Sequence, residues 1–289
     1  RFNGEVVSVD SMQLYRGMAI GTAAPTAEEM EGIPHHMVAV ADPRESWSAA
    51  RYAAEADKCV RDILRRGKRP VLVGGTGLYL DALVRGTDFA AGSHGGAIRQ
   101  QLQQRMERQG AAPLLAELQT IDPAAAARLH LRDEKRIVRA LEVYYETGET
   151  ITEHDRKSRE TPPRYRALRI GLAFRDRADM WARIDRRVDN MVAQGLLQEV
   201  ETLLQSGLPR DATALQAIGY KQFLAVAEGR ATVDEAIAEV KLRSRQYAKR
   251  QLTWLRRDED IHWILWEKTP DFPAGLQNAT EFLLSAGVC

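Results

Sequence analysis

The stretch Val6-Val7-Ser8-Val9-Asp10-Ser11-Met12-Gln13 decides how this chain is read. Its β-branched run reads as a strand buried on both faces, cut short by a carboxylate, a hydroxyl and an amide. Those polar groups fall at the strand's carboxyl end. In an open parallel sheet, loops splay apart at that edge and ligands bind there. Two readings of Asp10 stay open: the base of an enzyme, or a cap for the next segment, since Asp and Ser are common turn formers.

Outward from this stretch, Met37 to Val40 reads as the next strand. His35 and His36 just before it point to opposite faces of an extended segment and do not make a metal pair. Ser46 or Ser48 caps a helix with Tyr52, Ala56, Cys59, Ile63 and Leu64 at helical spacing, and Gly67 ends it. Pro70 to Val73 is again a strand, running into Gly74-Gly75-Thr76-Gly77 and a helix from Leu78. Strand, helix and strand make a parallel βαβ unit, so the glycine loop shares an edge with Asp10. Its glycines allow amides to approach an anion, and Thr76 adds a hydroxyl at the helix start. A tight turn with a capping threonine is the plainer reading of the same residues.

From about Gly92 the pattern changes to four helices with no strand between them, the mark of an inserted helical subdomain. They are marked by Ile98, Leu102 and Met106; by Leu114, Leu115 and Leu118; by an alanine-rich run ending at Leu129; and by Ile137 to Tyr145. The α/β pattern resumes with a strand over 168–174. In the helix that follows, Arg183 and Arg187 flank an apolar stripe, placed to reach a cleft or to snorkel over the core edge. Thr232 and Glu235 open a long helix to about Arg256 as a capping box. Its second half carries Lys241, Arg243, Arg245, Lys249, Arg250, Arg256 and Arg257 with no acid among them, and Tyr247 and Trp254 interleave. An unmixed run repels itself and implies a polyanion that neutralises it. Gln251 lies on the buried side, where an amide needs partners. A last strand over 261–266 closes the sheet.

The expected organisation is a core domain over 1–92, a helical insertion over 93–163 and a second core segment over 164–289. Composition is that of an ordinary soluble protein: 289 residues, 44% hydrophobic, 28% charged, net charge +1. Cys59 and Cys289 lie far apart without metal-ligand spacing, so neither a zinc site nor a disulfide framework is suggested, and a reducing cytoplasm fits. No apolar run approaches the ~20 residues of a membrane helix.

Five blocks in order resemble one family, the tRNA dimethylallyltransferases. They are Ser8 to Gln13 with Tyr15-Arg16-Gly17-Met18 and Gly21-Thr22-Ala23; Leu72 to Tyr79; Arg136 with Arg139 to Val143; Gln216 to Lys221; and Tyr247 to Arg256. The resemblance implies a P-loop NTPase-like parallel α/β core with an all-helical insertion. It also implies transfer of a dimethylallyl group from its diphosphate, with Mg2+, to the N6 amine of the adenosine 3′ of the anticodon in tRNAs reading codons that start with U. By position, Asp10 matches the family's general base, with Thr76 and Arg187 beside it in catalysis. Ser11, Met12, Gln13, Gly74, Gly75 and Arg183 match substrate-binding positions. The implied tRNA contacts are Arg99; Lys135, Arg136, Ile137, Val138 and Arg139; Gln216, Ala217, Ile218, Gly219, Tyr220 and Lys221; and Lys249, Arg250, Gln251, Leu252, Thr253, Trp254, Leu255 and Arg256. Partners are then the anticodon stem-loop and dimethylallyl diphosphate, in a cytoplasmic monomer with no membrane contact and no assigned metal ligands.

Two departures accompany the resemblance. The family's Walker-type glycine loop precedes the strand that opens this chain, so the sequence starting at Arg1 is expected to be shortened and crippled in catalysis. The stretch from Gly92 to Gly96 is glycine-rich where a regular helix entry is usual. Competing readings are a prenyltransferase for free adenine nucleotides, a nucleotide kinase, and an RNA-binding remnant without catalysis.

Overall fold

Parallel pairing of β1 (Gly4–Ser8) with β2 (His35–His36) on one side and β3 (Arg69–Val73) on the other builds the sheet that positions the site. The computed structural model describes residues 2–87 and 96–288. Expectations attached to Arg1, to residues 92–95, to the 92/93 domain boundary and to Cys289 lie outside them. By compactness the described residues form two units, 1–83 with 166–289, and 84–165.

In the first unit, α1 (Ala19–Thr22) follows the Asp10 loop and α2 (Ala49–Arg65) links β2 to β3. The Ser48 hydroxyl caps α2 at 3.1 Å from the Arg51 amide. Tyr52, Ala56, Val60 and Ile63 form its buried face, while Leu64 is turned out to solvent. α3 (Gly77–Arg85) then leaves the glycine loop. The expected strand from Met37 to Val40 does not form. Met37 and Ala39 take φ of 61° and 51°, and the segment instead donates Ala39 N to Gln13 O and Ala41 N to Leu14 O, both at 2.8 Å. An apolar run looked extended, but its left-handed residues wind it around the Asp10 loop.

After the second unit come β4 (Ile170–Phe174), α9 (Arg177–Ala193) and α10 (Leu196–Gln205), with a 3-10 turn over Thr213–Gln216. They lead into α11 (Tyr220–Ala227), α12 (Val233–Leu255), β5 (His262–Trp266) and α13 (Phe272–Ser285). The Thr232–Glu235 capping box opens α12 as expected. β5 does not close the first sheet: it pairs in parallel with β4 alone, so the described strands form two sheets. Periodicity identifies strands but not which edges meet. Val71 and Val73 on β3 and Leu172 on β4 stay exposed. No helix among the described residues is long and apolar enough to cross a membrane.

The second unit holds α4 (Ala97–Gln109), α5 (Ala111–Ile121), α6 (Pro123–Ala126), α7 (Glu134–Thr147) and α8 (Ile151–Glu160) around Leu102, Leu114, Leu118, Ile137 and Leu141. Sequence reading missed α8, a strongly polar helix lacking an apolar stripe. It is capped by Thr150 and tied by Thr152 to buried Asp122, with Oγ1 at 2.8 Å from Oδ1.

At the amino end of β1, buried Glu5 accepts hydrogen bonds from Arg66, from Lys68 Nζ at 2.7 Å, and meets His36 Nε2 at 2.8 Å. Arg66 above all, then Lys68 and His36, holds its carboxyl far below the ordinary value of 4.5. A depressed carboxylate stabilises the fold fully above its unfolded pKa and loses that contribution as pH falls through the folded one. Glu5→Gln should therefore lower the thermal midpoint at neutral pH, with the gap to wild type shrinking below 4.5. Midpoints that stay equally far apart from about pH 7 to about pH 3 would refute this.

Candidate active site

Strand register carries the Asp10 loop and the glycine loop to the same edge. Val9 N donates to Val73 O at 2.7 Å, and Thr76 N donates back to Val9 O at 3.1 Å. A Cβ on Gly74 would strike the Val9 backbone, so only glycine permits this approach. The Ser11 amide then donates to Thr76 Oγ1 at 3.1 Å, joining the two loops directly.

Asp10 fulfils the capping reading with one oxygen and leaves the other for chemistry. Its Oδ1 accepts the Met12 and Gln13 amides at 2.8 and 3.2 Å. Its Oδ2 has no hydrogen-bond partner among the described residues, and the residue as a whole is half-buried. Behind it, Tyr52 and Tyr79 stack with ring centroids 4.1 Å apart, and the Tyr52 hydroxyl donates to Ser8 O at 2.8 Å. Burial, with the Asp10 charge adding to it, pushes the Tyr79 phenol up to about 12.

Cations approach Asp10 from α9. Arg187 keeps accessible surface, yet desolvation by surrounding protein lowers its pKa; the Asp10 carboxylate opposes that shift and Arg183 reinforces it. Arg187 is thus electrostatically coupled to both the Asp10 carboxylate and the Arg183 guanidinium. Arg187 Nη2 also donates to Thr22 O at 3.4 Å.

Gln13 works inside the protein. Its Oε1 accepts from Ser8 Oγ at 2.9 Å, and its Nε2 reaches Thr22 O at 3.4 Å and Ala23 O at 3.2 Å. The loop it reaches is braced from below by Glu199, whose carboxylate accepts the Ile20 and Gly21 amides at 2.9 and 3.0 Å. Tyr220, wholly buried, donates its hydroxyl to Glu199 Oε1 at 2.5 Å. Sequence reading missed Glu199, since nothing local marks a carboxylate that caps a helix 178 residues away.

From the other side, α12 lies on the glycine loop. Gln251, half-buried, donates Nε2 to Gly75 O at 3.0 Å, the kind of partner expected for an amide on this side of the helix. Side chains on Gly75 and Gly77 would collide with Gln251 and with the Trp254 ring. Tyr247, one turn earlier, is 37% exposed, and the Arg250 guanidinium lies 5.7 Å from its ring centroid.

The expected tRNA contacts divide by burial. Ile137 and Val138 in the second unit, and Ala217 and Tyr220 in the first, turn their side chains into the core, so the family segments containing them include supporting residues. Arg99 and Arg139 flank the fully buried Glu142 at 3.2 and 2.9 Å, neutralising a charge that otherwise would not be tolerated there. Lys135, Arg136, Gln216, Lys221, Lys249, Arg250, Thr253 and Arg256 are exposed; Ile218, Leu252, Trp254 and Leu255 are half-buried; and Gly219 caps α11.

The run of cations on α12 is less unopposed than its sequence implies. Lys241 meets Asp189 at 2.6 Å and Arg245 meets Asp185 at 3.2 Å, both from α9, and Arg243 meets Glu239 at 2.6 Å. Lys249, Arg250, Arg256 and Arg257 have no carboxylate partner among the described residues, so free positive charge gathers at the end of α12 near the glycine loop.

Fold and rim together define a P-loop-like parallel α/β protein with its polar groups at the carboxyl ends of its strands. The sequence profile described as IPP transferase matches residues 13–258. The chain is 44% identical over 264 residues to the tRNA dimethylallyltransferase of Carboxydothermus hydrogenoformans, covering 91% of this chain and 84% of that one. It is 39% identical to that of Acetivibrio thermocellus, covering 100% and 92%. Among solved structures, the tRNA isopentenylpyrophosphate transferase of Bacillus halodurans superposes with a TM-score of 0.71 at 39% identity, covering 100% of this chain and 89% of that one. A eukaryotic dimethylallyltransferase acting on tRNA superposes with a TM-score of 0.79 at 30% identity, covering 97% and 71%. The chain belongs to the IPP transferase family.

Gly77→Ala should force the Trp254 ring off the glycine loop and cost about 1–3 kcal/mol, the usual price of overpacking. Thermal or denaturant unfolding measures it. An unchanged midpoint would mean that α12 does not rest on this loop.

Proposed function

We propose that this protein transfers the dimethylallyl group of dimethylallyl diphosphate to N6 of the adenosine 3′-adjacent to the anticodon, in tRNAs that read codons beginning with U. The observation that carries this reading is the Asp10 oxygen without a hydrogen-bond partner among the described residues, on a loop joined to Thr76 and electrostatically coupled to Arg187. The names of the relatives support the transferred group and the tRNA substrate.

In the step proposed, the N6 lone pair attacks C1 of the prenyl chain as the C1–O bond breaks and diphosphate departs. The proton displaced from N6 passes to Asp10 Oδ2. An adenine amine is a weak nucleophile, so a carboxylate within hydrogen-bond reach is what it lacks in water. Arg183 and Arg187 stabilise the charge growing on the leaving diphosphate. The target base must leave its stack to reach the rim, while the free cations of α12 hold the phosphate backbone.

Magnesium fits this rim as an ion carried by the diphosphate. Among the described residues no three His, Cys, Asp or Glu side chains form a cluster for one. Mg2+ commonly binds through substrate phosphates with few protein ligands, and the Ser11 and Thr76 hydroxyls are the oxygens that would face it. Bound there, it would neutralise leaving-group charge. The reading also takes the working form as a cytoplasmic monomer, for which the free Cys59 thiol fits a reducing compartment.

Asp10→Asn tests the base separately from the cap, because an amide oxygen still accepts the Met12 and Gln13 amides but takes no proton. Folding and RNA affinity should match wild type, while prenyl transfer to an anticodon stem-loop falls about 10²–10⁴-fold. Turnover at the wild-type rate would remove Asp10 from the mechanism.

RNA affinity should fall steeply with salt, and alanine at Lys249, Arg250, Arg256 or Arg257 should flatten the log–log slope by about 0.7–0.9 each. Slopes untouched by these substitutions would place the RNA elsewhere.

A further inference from the structure

Gln13 and Arg187 both lean on α1, and four residues are too few for a helix to hold itself. The first amides of a helix lack partners within it, and Met18 at the amino end of α1 supplies no side-chain cap. The missing acceptors come from α10. Glu199 takes the Ile20 amide at 2.9 Å on one carboxylate oxygen and the Gly21 amide at 3.0 Å on the other. The Tyr220 hydroxyl, from α11, donates to Glu199 Oε1 at 2.5 Å and so fixes the way the carboxylate faces. A Cβ on Gly21 would stand 2.5 Å from the Tyr220 ring and 2.8 Å from Leu196, both wholly buried, so the backbone of α1 rests directly on the core.

The carboxyl end of α1 turns its carbonyls the other way. Thr22 O accepts from Gln13 Nε2 and from Arg187 Nη2, each at 3.4 Å, and Ala23 O accepts from Gln13 Nε2 at 3.2 Å. Thr22 Oγ1 donates to Met18 O at 2.5 Å, which ties the two ends of the turn together. An anion therefore grips the amides of one small unit while a cation and an amide take its carbonyls. A shift at Glu199 reaches Arg187 through about 6 Å of helix. Tyr220 belongs to the stretch from Gln216 to Lys221 that the family resemblance assigns to tRNA contact. A side chain without exposed surface has a different part to play.

We propose that Glu199 and Tyr220 are positioning residues for the leaving diphosphate, holding Arg187 in place through the Thr22 carbonyl of α1. The inference rests on the role given to Arg187 in the transfer reaction proposed above. A guanidinium fixed before the C1–O bond breaks stabilises the growing charge without first reorienting, and one released from Thr22 loses that advantage.

The test measures inorganic diphosphate binding by calorimetry and prenyl transfer to an anticodon stem-loop RNA. Glu199→Gln and Tyr220→Phe are each made in the wild type and in Arg187→Ala. In the wild type, Glu199→Gln should weaken diphosphate binding and slow transfer at saturating substrate about ten- to hundredfold, with stem-loop affinity unchanged. Tyr220→Phe keeps the ring under Gly21 and removes only the hydroxyl. It should act in the same direction by about three- to tenfold, and it carries the test alone where Glu199→Gln unfolds. In Arg187→Ala neither substitution should change either quantity by more than about twofold, because an arginine already removed cannot be misplaced. Equal fold-losses with and without Arg187 would reduce the pair to structural support and overturn the proposal, as would undiminished diphosphate binding in folded variants. Absence of transfer in every protein, with diphosphate binding still following this pattern, would overturn the reaction assigned above and leave the positioning role standing.

Discussion

The hydrogen bond from the Ser11 amide to Thr76 Oγ1 joins loops 65 residues apart, and the rest of the site hangs on it. It exists because β1 and β3 run parallel in a register that pairs Ser8 with Val73, so both strands end at one level. Parallel strands require a crossover between them, here α2, and this leaves both departing loops on the same edge. Gly74 lets the second loop fold tightly against Val9, and the threonine after it arrives at hydrogen-bonding distance of the first. Asp10 is thereby held with one oxygen in its own turn and one at the rim.

A second constraint comes from α12. Its Gln251 and Trp254 occupy the space that side chains on Gly75 and Gly77 would fill, so the glycine loop is shaped by a helix as much as by an approaching anion. The same helix delivers positive charge selectively. Acids on α9 neutralise its early cations, and the unpaired ones collect where α12 meets the loop. A helix that repels itself in sequence is thus paired along its first part, while Lys249, Arg250, Arg256 and Arg257 have no carboxylate partner among the described residues.

Several motif residues support the site from a distance. Tyr220 and Glu199 brace α1, and α1 presents the Thr22 carbonyl to both Gln13 and Arg187. Moving that brace would shift an arginine without touching it. In the helical unit, Glu142 sits fully buried between Arg99 and Arg139, and its carboxylate orients both guanidinium groups.

The sequence by itself determined the carboxyl ends of β1 and β3, the βαβ unit, the helix caps at Ser48 and Thr232, and the pairing of a carboxylate loop with a threonine-bearing glycine loop. These are local signals, carried by side-chain periodicity and by residues that satisfy backbone groups within a turn of themselves. Only the tertiary structure decided that Met37 to Val40 winds around the Asp10 loop, that β4 and β5 form a sheet of their own, and that Tyr220 and Ile137 face inward. It also placed Glu199 under α1 and matched α9 acids to α12 cations. The physical reason is common to all of these. Which strand edges pair, which face is covered and which charges are neutralised depend on groups far away in the chain, and spacing along one segment carries no record of its distant neighbours.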